Sequence, residues 1–414
     1  MIPTFLQPSH VFKRDLDPSK YRLEIDGLRF FAIMNVMIGH LLERIQRFWM
    51  EPSPHFENAG ANAVIDFFAS PNQGVLLFFA ISGFIIAKQM QDVPDGRFNA
   101  AYVGKYYVRR AARIFPPYYF VILSSFIAVY FLGLTPPGLN SFEKTAAVPI
   151  EQSFIASMFY AHGAVFDSLP RLFALGWSLE VEVQFYILAP IIFLTFFRGA
   201  HRAEPWRFVV FLALAFATSF VVMNKIAPVN SFTVLSYIIY FATGITMARH
   251  EMTMQRLFAR IGSKASAVLG VICVLGMFWL GEAHFSPLPM TLIYWGLTLA
   301  TIVVMFGLAF QPDTLFGKFC RIPAVTWIGM ACYSLYLVHM QFFHLATLVL
   351  GKFATFNYLG LAIGFVGLMA CALIGGAAFF AIVEKPFAGW RPFSKKRAPQ
   401  PPAGEPKVES RGPF

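Results

Sequence analysis

The feature that most constrains this chain is a succession of long apolar runs. A helix needs about 20 apolar residues to cross a hydrocarbon core. Windows of that kind fall near residues 28–43, 74–90, 116–134, 174–197, 208–224, 231–249, 265–281, 291–310, 326–350 and 357–383. Lipid offers no partners to backbone N–H and C=O groups, so such runs must bond internally, as helices do. Composition agrees, with 13% charged residues against roughly 25% in ordinary soluble domains. With 57% hydrophobic residues and 48 Phe in 414 positions, too few polar side chains remain to coat a water-exposed globule. A soluble enzyme, a nucleic-acid-binding module and a disordered chain are excluded. The expected fold class is all-α, a polytopic membrane bundle of about ten transmembrane helices.

The net charge of +11 matters through its distribution, because Lys and Arg accumulate on the cytoplasmic side of membrane proteins. With ten spans and both termini cytoplasmic, all but six of the 33 Lys and Arg fall inside. The six are Arg44, Arg47, Lys144, Arg171, Lys225 and Lys352. An odd number of spans would send either the basic N-terminal arm or the Lys-rich tail outward. The expected organisation is a cytoplasmic arm over 1–27, one membrane domain over 28–387 and a disordered, basic, Pro-rich tail over 388–414. Residues 1–28 are polar and carry Pro3, Pro8 and Pro18, so the first apolar segment is expected to stay in the membrane as an anchor. Long outer loops are expected at 44–73 and 135–173. The four cysteines show no metal-ligand spacing and read as packing residues.

Polar groups at membrane depth are costly, so each invites a functional hypothesis. Arg29 and His40 lie eleven residues apart in DGLRFFAIMNVMIGH. On a helix they return to nearly one face, separated by roughly 16 Å. That geometry suits an anion clamp at the mouth of a cavity and a titratable base deeper within; a snorkelling Arg and a hydrogen-bonded core His explain the pair equally well. In KYYVRRAARIFPPYY, Arg110 and Arg113 lie one turn apart and can fork onto a phosphate, with lipid headgroup contact as the ordinary alternative. In WSLEVEVQFYILAP, Ser178, Glu182 and Tyr186 recur at i, i+4 and i+8 and form one polar stripe, with Glu180 off it. Such a stripe suits a polyhydroxylated ligand or the orientation of a neighbouring His, and interhelical hydrogen bonding would also use it. Ser82 and Gly83 form a small pair that permits close helix approach, and Tyr336 and His339 read as a polar packing cluster.

Taken together these segments resemble the acyltransferase-3 family of polytopic membrane O-acyltransferases. Arg29 and His40 are similar to its R-x10-H motif, and GVLLFFAISGF to its second-span segment. Arg110 and Arg113 match its R-x-x-R, while Ser178, Leu179, Glu182 and Tyr186 match its S-L-x-x-E-x-x-x-Y. YSLYLVH and Glu384-Lys385-Pro386 resemble its closing signatures, and the likeness runs over about residues 21–387. Two positions depart from the pattern: Leu76 stands where an acidic residue is common, and Val183 where a second Glu often follows.

The resemblance implies transfer of an acyl group, usually acetyl, from cytoplasmic acyl-CoA to a hydroxyl of an extracytoplasmic glycan or similar acceptor. In that reading Arg29, Arg110 and Arg113 meet the CoA phosphates, and His40 acts as general base or acyl carrier. Glu182 orients or charge-stabilises His40, and Ser178 and Tyr186 contact the acceptor. The expected ligands are acyl-CoA as donor substrate, a glycan or small hydroxylated acceptor, and membrane lipid. No tightly bound cofactor and no metal are expected, and the expected location is the bacterial inner (plasma) membrane. A glycan transporter or flippase is the alternative, since it too needs polar groups at the midplane; the paired, broken-helix halves of such proteins are not evident in this sequence.

Overall fold

The computed structural model describes residues 22–49, 59–134, 143–198, 205–282, 288–350 and 358–388. Most of the expected N-terminal arm and nearly all of the Pro-rich tail lie outside these residues. Ten principal helices follow the ten apolar windows: α1 Leu23–Trp49, α2 Asn72–Gln91, α3 Ala100–Phe126, α4 Gly176–Phe196 and α5 Pro205–Met223 come first. Then come α6 Val234–Arg249, α7 Ser263–Glu282, α8 Leu288–Ala309, α9 Cys332–Leu350 and α10 Tyr358–Phe379. No strand occurs among the described residues. Eight helical segments are long and apolar enough to span a bilayer, and α6 is a shorter apolar helix of 16 residues. α9 has 19 residues, its apolar run interrupted by His339, Gln341 and His344.

Several boundaries differ from the hydropathy reading for local reasons. α1 begins at Leu23 because Glu24 and Asp26 sit in its first turn, where a carboxylate complements the exposed N–H groups and the helix dipole. Asn99 caps α3 by accepting the Tyr102 N–H at 3.0 Å. The window 326–350 is two helices, Pro323–Met330 and α9, joined at Ala331. The two long loops carry helices of their own at Ala59–Phe68, Ile150–Met158 and His162–Phe166.

α1 and α2 form the centre of the bundle. α2 packs along both α1 and α6, and α1 also packs against the 323–330 helix and α9. The packing of α2 on α6 is a reciprocal backbone contact. A Cβ on Gly83 would overlap the Phe241 carbonyl oxygen, and one on Gly244 would overlap that of Ala80. Small residues are what allow helices in lipid to approach this closely.

α4 contains Pro190, whose missing N–H leaves the carbonyl four residues earlier without its helical partner. That carbonyl belongs to Tyr186, and the Tyr106 hydroxyl donates to it at 3.1 Å. The neighbouring Tyr107 hydroxyl donates to Ile187 O at 2.8 Å. Two phenols of α3 thus repair and grip α4. Arg198, just beyond α4, donates to the carbonyls of Met90 and Val93 and to Asp95 Oδ1, closing the C-terminal end of α2.

At the face where α1 begins, an ion network joins four segments. Arg22 pairs with Glu24 and Glu251 at 2.7 Å each, Lys88 with Glu251 at 3.2 Å and Arg321 with Glu24 at 3.3 Å. Burial disfavours the Glu251 carboxylate, but Arg22 and Lys88 outweigh it and hold its pKa below the ordinary range.

The glycine contact gives a direct test. Gly244→Val forces its side chain into Ala80 backbone and is expected to cost about 3 kcal/mol or more, read as lost monodisperse yield and a lowered melting temperature in detergent. Gly276→Ala, at a site with nothing within 4 Å, is expected to be neutral or stabilising by up to about 1 kcal/mol.

Candidate active site

Five helices enclose a cavity of about 90 Å³. α1 contributes Arg29, α2 Ser82, α3 Arg110 and Arg113, α4 Ser178, Glu182 and Tyr186, and α9 Tyr333 and Tyr336. Six of the seven residues singled out from the sequence therefore line one space. The i, i+4, i+8 stripe faces the cavity as its spacing predicted, and Glu180 points away from it. Phe78, Phe79, Ile81 and Ile85 supply an apolar wall.

Charge in the cavity is lopsided, with three guanidinium groups and one carboxylate on the lining. Arg29 is tied to Asp26, Nη1 to Oδ1 at 2.8 Å, which uses part of its donor fork. Arg110 donates to Gln89 Oε1 at 2.6 Å and lies over the rings of Tyr186 and Tyr106, 5.2 and 5.8 Å from their centroids. Arg113 has no carboxylate within ion-pair range among the described residues. Donors remain on all three, so an anion entering the cavity meets charge-assisted hydrogen bonds.

Glu182 accepts hydrogen bonds from the hydroxyls of Ser82 and Tyr186 through the same oxygen. Sequence reading gave Ser82 only a packing role. Ser178 shares a 2.6 Å hydrogen bond with the Tyr336 hydroxyl, which also lies 3.0 Å from the Leu175 carbonyl. Tyr333 donates to Ile114 O at 2.6 Å and so fastens α9 to α3.

His40 is on the same helix as Arg29 but is not on the cavity lining. Its Nδ1 is 2.9 Å from Glu43 Oε2, one turn along α1, and its ring stacks on that of His339 with centroids 5.6 Å apart. His339 in turn lies 6.1 Å from the Tyr336 ring. The carboxylate that contacts His40 is Glu43, while Glu182 is engaged with Ser82 and Tyr186. Sequence reading missed Glu43, and its i+3 spacing from His40 was the available signal.

Glu180 is fully buried and accepts the Gly163 N–H at 2.8 Å. It thereby seats the 162–166 helix against the start of α4. His162 on that helix is fully buried, and neither ring nitrogen has a partner among the described residues. Burial pushes its pKa down from 6.5 to about 4.

The family model described as an acyltransferase domain matches residues 22–381. The chain therefore belongs to this acyltransferase family, and it is an integral membrane protein. Among curated relatives it is similar to the peptidoglycan O-acetyltransferase OatA of Listeria monocytogenes, 25% identical over 356 residues, covering 80% of this chain and 51% of the relative. It is also 25% identical over 343 residues to the O-acetyltransferase OatA of Staphylococcus aureus, covering 77% of this chain and 50% of that protein. The chain thus spans about half the length of these relatives. No solved structure matches it.

A neutral, buried His162 binds fewer protons in the folded chain than in the unfolded one between pH 6.5 and about 4. Stability is therefore expected to fall as pH drops through that window, because protons bind the unfolded state preferentially. Melting temperatures of wild type and His162→Phe at pH 7.5, 5.5 and 4.5 check this; the variant should show a smaller fall.

Proposed function

We propose that the protein is a membrane O-acetyltransferase that takes an acetyl group from acetyl-CoA at the cytoplasmic face and passes it to a hydroxyl of an extracytoplasmic glycan. The names of its relatives make peptidoglycan the acceptor class to test first. The observation that carries the reading is the convergence of Arg29, Arg110 and Arg113 with the Ser178–Glu182–Tyr186 stripe on one narrow cavity. A CoA donor presents phosphates, which guanidinium groups bind in forked geometry, and a slender acyl-bearing arm, which a narrow, partly apolar channel admits.

In this mechanism Arg110 and Arg113 anchor the donor phosphates, with Arg29 at the same mouth. The acceptor hydroxyl attacks the thioester carbonyl; its proton goes to His40, the carbon–sulfur bond breaks, and the thiolate leaves. Glu43 holds Nδ1–H of His40, so the lone pair that takes the proton is on Nε2. Ser178 and Tyr186 present the polar stripe along which the acceptor is held. Glu182, by accepting from both Ser82 and Tyr186, fixes the Tyr186 phenol. The rise from Arg29 to His40, roughly 16 Å, is comparable to the length of a pantetheine arm. The bacterial plasma membrane, with acyl-CoA on one side and cell-wall glycan on the other, is the setting this arrangement requires.

Two variants in nanodiscs test the reading, with acetyl-CoA as donor and an N-acetylglucosamine–N-acetylmuramic acid disaccharide as acceptor. His40→Ala is expected to lower turnover by about 10³-fold or more. Arg113→Ala is expected to raise KM for acetyl-CoA about 10-fold, the loss of one charge-assisted hydrogen bond, with kcat little changed. Wild-type turnover by His40→Ala would remove the base from the mechanism, and an unchanged KM in Arg113→Ala would remove the anchor.

A further inference from the structure

The proposed mechanism leaves one buried charge without a role. α10 carries no charged residue, but it runs on through a single π-helical turn, Phe380–Glu384. Such turns interrupt the regular helical register and occur often at functional sites. Ile382 in this turn is exposed, while Glu384 is fully buried, and the turn packs against α3 and α9. Glu384 accepts from the Ser334 hydroxyl at 2.7 Å through Oε2. Its Oε1 has no partner among the described residues. A serine hydroxyl is satisfied by any acceptor, so this hydrogen bond alone calls for no charge at the position. A buried carboxylate is costly unless cations stand near it.

Cations are what its surroundings supply. Cys332, two residues before Ser334, lies on the cavity lining, and the charges of Arg29, Arg113, Asp26 and Glu384 all reach it. Arg29 has Asp26 at 2.8 Å, while Arg113 forms no ion pair among the described residues. Tyr333 donates to the carbonyl of Ile114, the residue after Arg113. The first turn of α9 is therefore bonded to Glu384 through Ser334 and to the neighbour of Arg113 through Tyr333. Where water is scarce, a charge acts over several Å without contact.

The three guanidinium groups on the cavity lining face a single carboxylate there, Glu182. Left unopposed, they would hold a polyanionic donor and its deacylated product alike. Binding of that uniform kind lowers KM without raising kcat, and slow product release then limits turnover.

We propose that Glu384 is a positioning residue that acts through the arginines, a fixed anion held by Ser334 that weakens their grip on the CoA phosphates so that free CoA can leave. This rests on the reading of the cavity as the donor site. Glu384 touches neither donor nor acceptor, and no bond forms or breaks at it.

The test is equilibrium binding of CoA to the full chain in nanodiscs, wild type against Glu384→Gln, with pantetheine as a phosphate-free competitor. Gln keeps an acceptor for Ser334 and removes the charge. Glu384→Gln is expected to bind CoA about 10-fold more tightly, the scale of one charge acting over several Å in a partly desolvated site, and to bind pantetheine within about 2-fold of wild type. Glu384→Asp keeps the charge and should stay within about 3-fold of wild type for CoA. A purely structural role would instead weaken binding, and of both ligands. If the Gln variant is not monodisperse, Ser334→Ala/Glu384→Met takes its place with the same expected tightening, since it removes the charge together with the hydroxyl that would be orphaned. Unchanged or weaker CoA binding on removal of the charge, or equal tightening for CoA and pantetheine, would overturn the proposal. If wild type binds no CoA, the donor reading itself has failed. Weaker CoA binding by Arg113→Ala beside no gain in Glu384→Gln removes the role of Glu384 alone.

Discussion

The arrangement depends on how closely two helix backbones can approach in lipid. α2 lies between α1 and α6, and on the α6 side the contact is backbone on backbone at Gly83 and Gly244. On the other side the Gly74 N–H donates to Asn35 Oδ1 at 2.7 Å, where a Cβ would overlap the Ala32 carbonyl oxygen. In a bilayer apolar area alone does not drive helices together, so close packing and interhelical hydrogen bonds must do so. By pinning α2 from both sides, these contacts bring Ser82 to Glu182 and set α1, with Arg29 and His40, at a fixed distance from α4. The cavity is what remains between helices whose separations are decided elsewhere.

Polar groups in this bundle are placed in answer to one another. Pro190 frees a carbonyl and Tyr106 occupies it; Glu182 accepts from two hydroxyls; Asp26 partners Arg29. Each pairing lowers the cost of holding polar atoms away from water. The guanidinium donors around the cavity are less fully committed, and they are the groups an anionic donor would meet. The proposed donor site draws on this contrast between satisfied scaffolding and available charge.

Much of this was legible in the sequence. Apolar windows located all ten helices, because lipid permits few other structures at that length and hydropathy. The Ser178–Glu182–Tyr186 stripe is readable from a period of four, and all three residues line the cavity. What could not be read were relations between helices distant in sequence. Ser82 meets Glu182 across a hundred residues, and Tyr336 meets Ser178 across more; no local periodicity encodes either. The expectation that Glu182 orients His40 rests on the polar stripe of its own helix and on a family likeness, neither of which specifies which helices meet. The structure instead gives His40 a carboxylate from its own helix. The split of the 326–350 run was hidden because Ala331, where it bends, is as apolar as its neighbours.

The strap formed by Arg198 has a bearing on how the molecule is made. Its guanidinium closes the end of α2 from beyond α4, more than a hundred residues downstream of Met90. A ribosome delivers α1, α2 and α3 to the membrane before that group exists, and α9, with Tyr333 and Tyr336, arrives later still. Until then α1, with Arg29, and α3, with Arg110 and Arg113, must wait beside α2 without their final neighbours. The cavity is therefore a late product of biogenesis, assembled when the far end of the chain returns to its beginning. Cells in which insertion stalls after α3 would hold a basic, open hairpin of helices, a natural client for membrane quality control rather than a weakened enzyme.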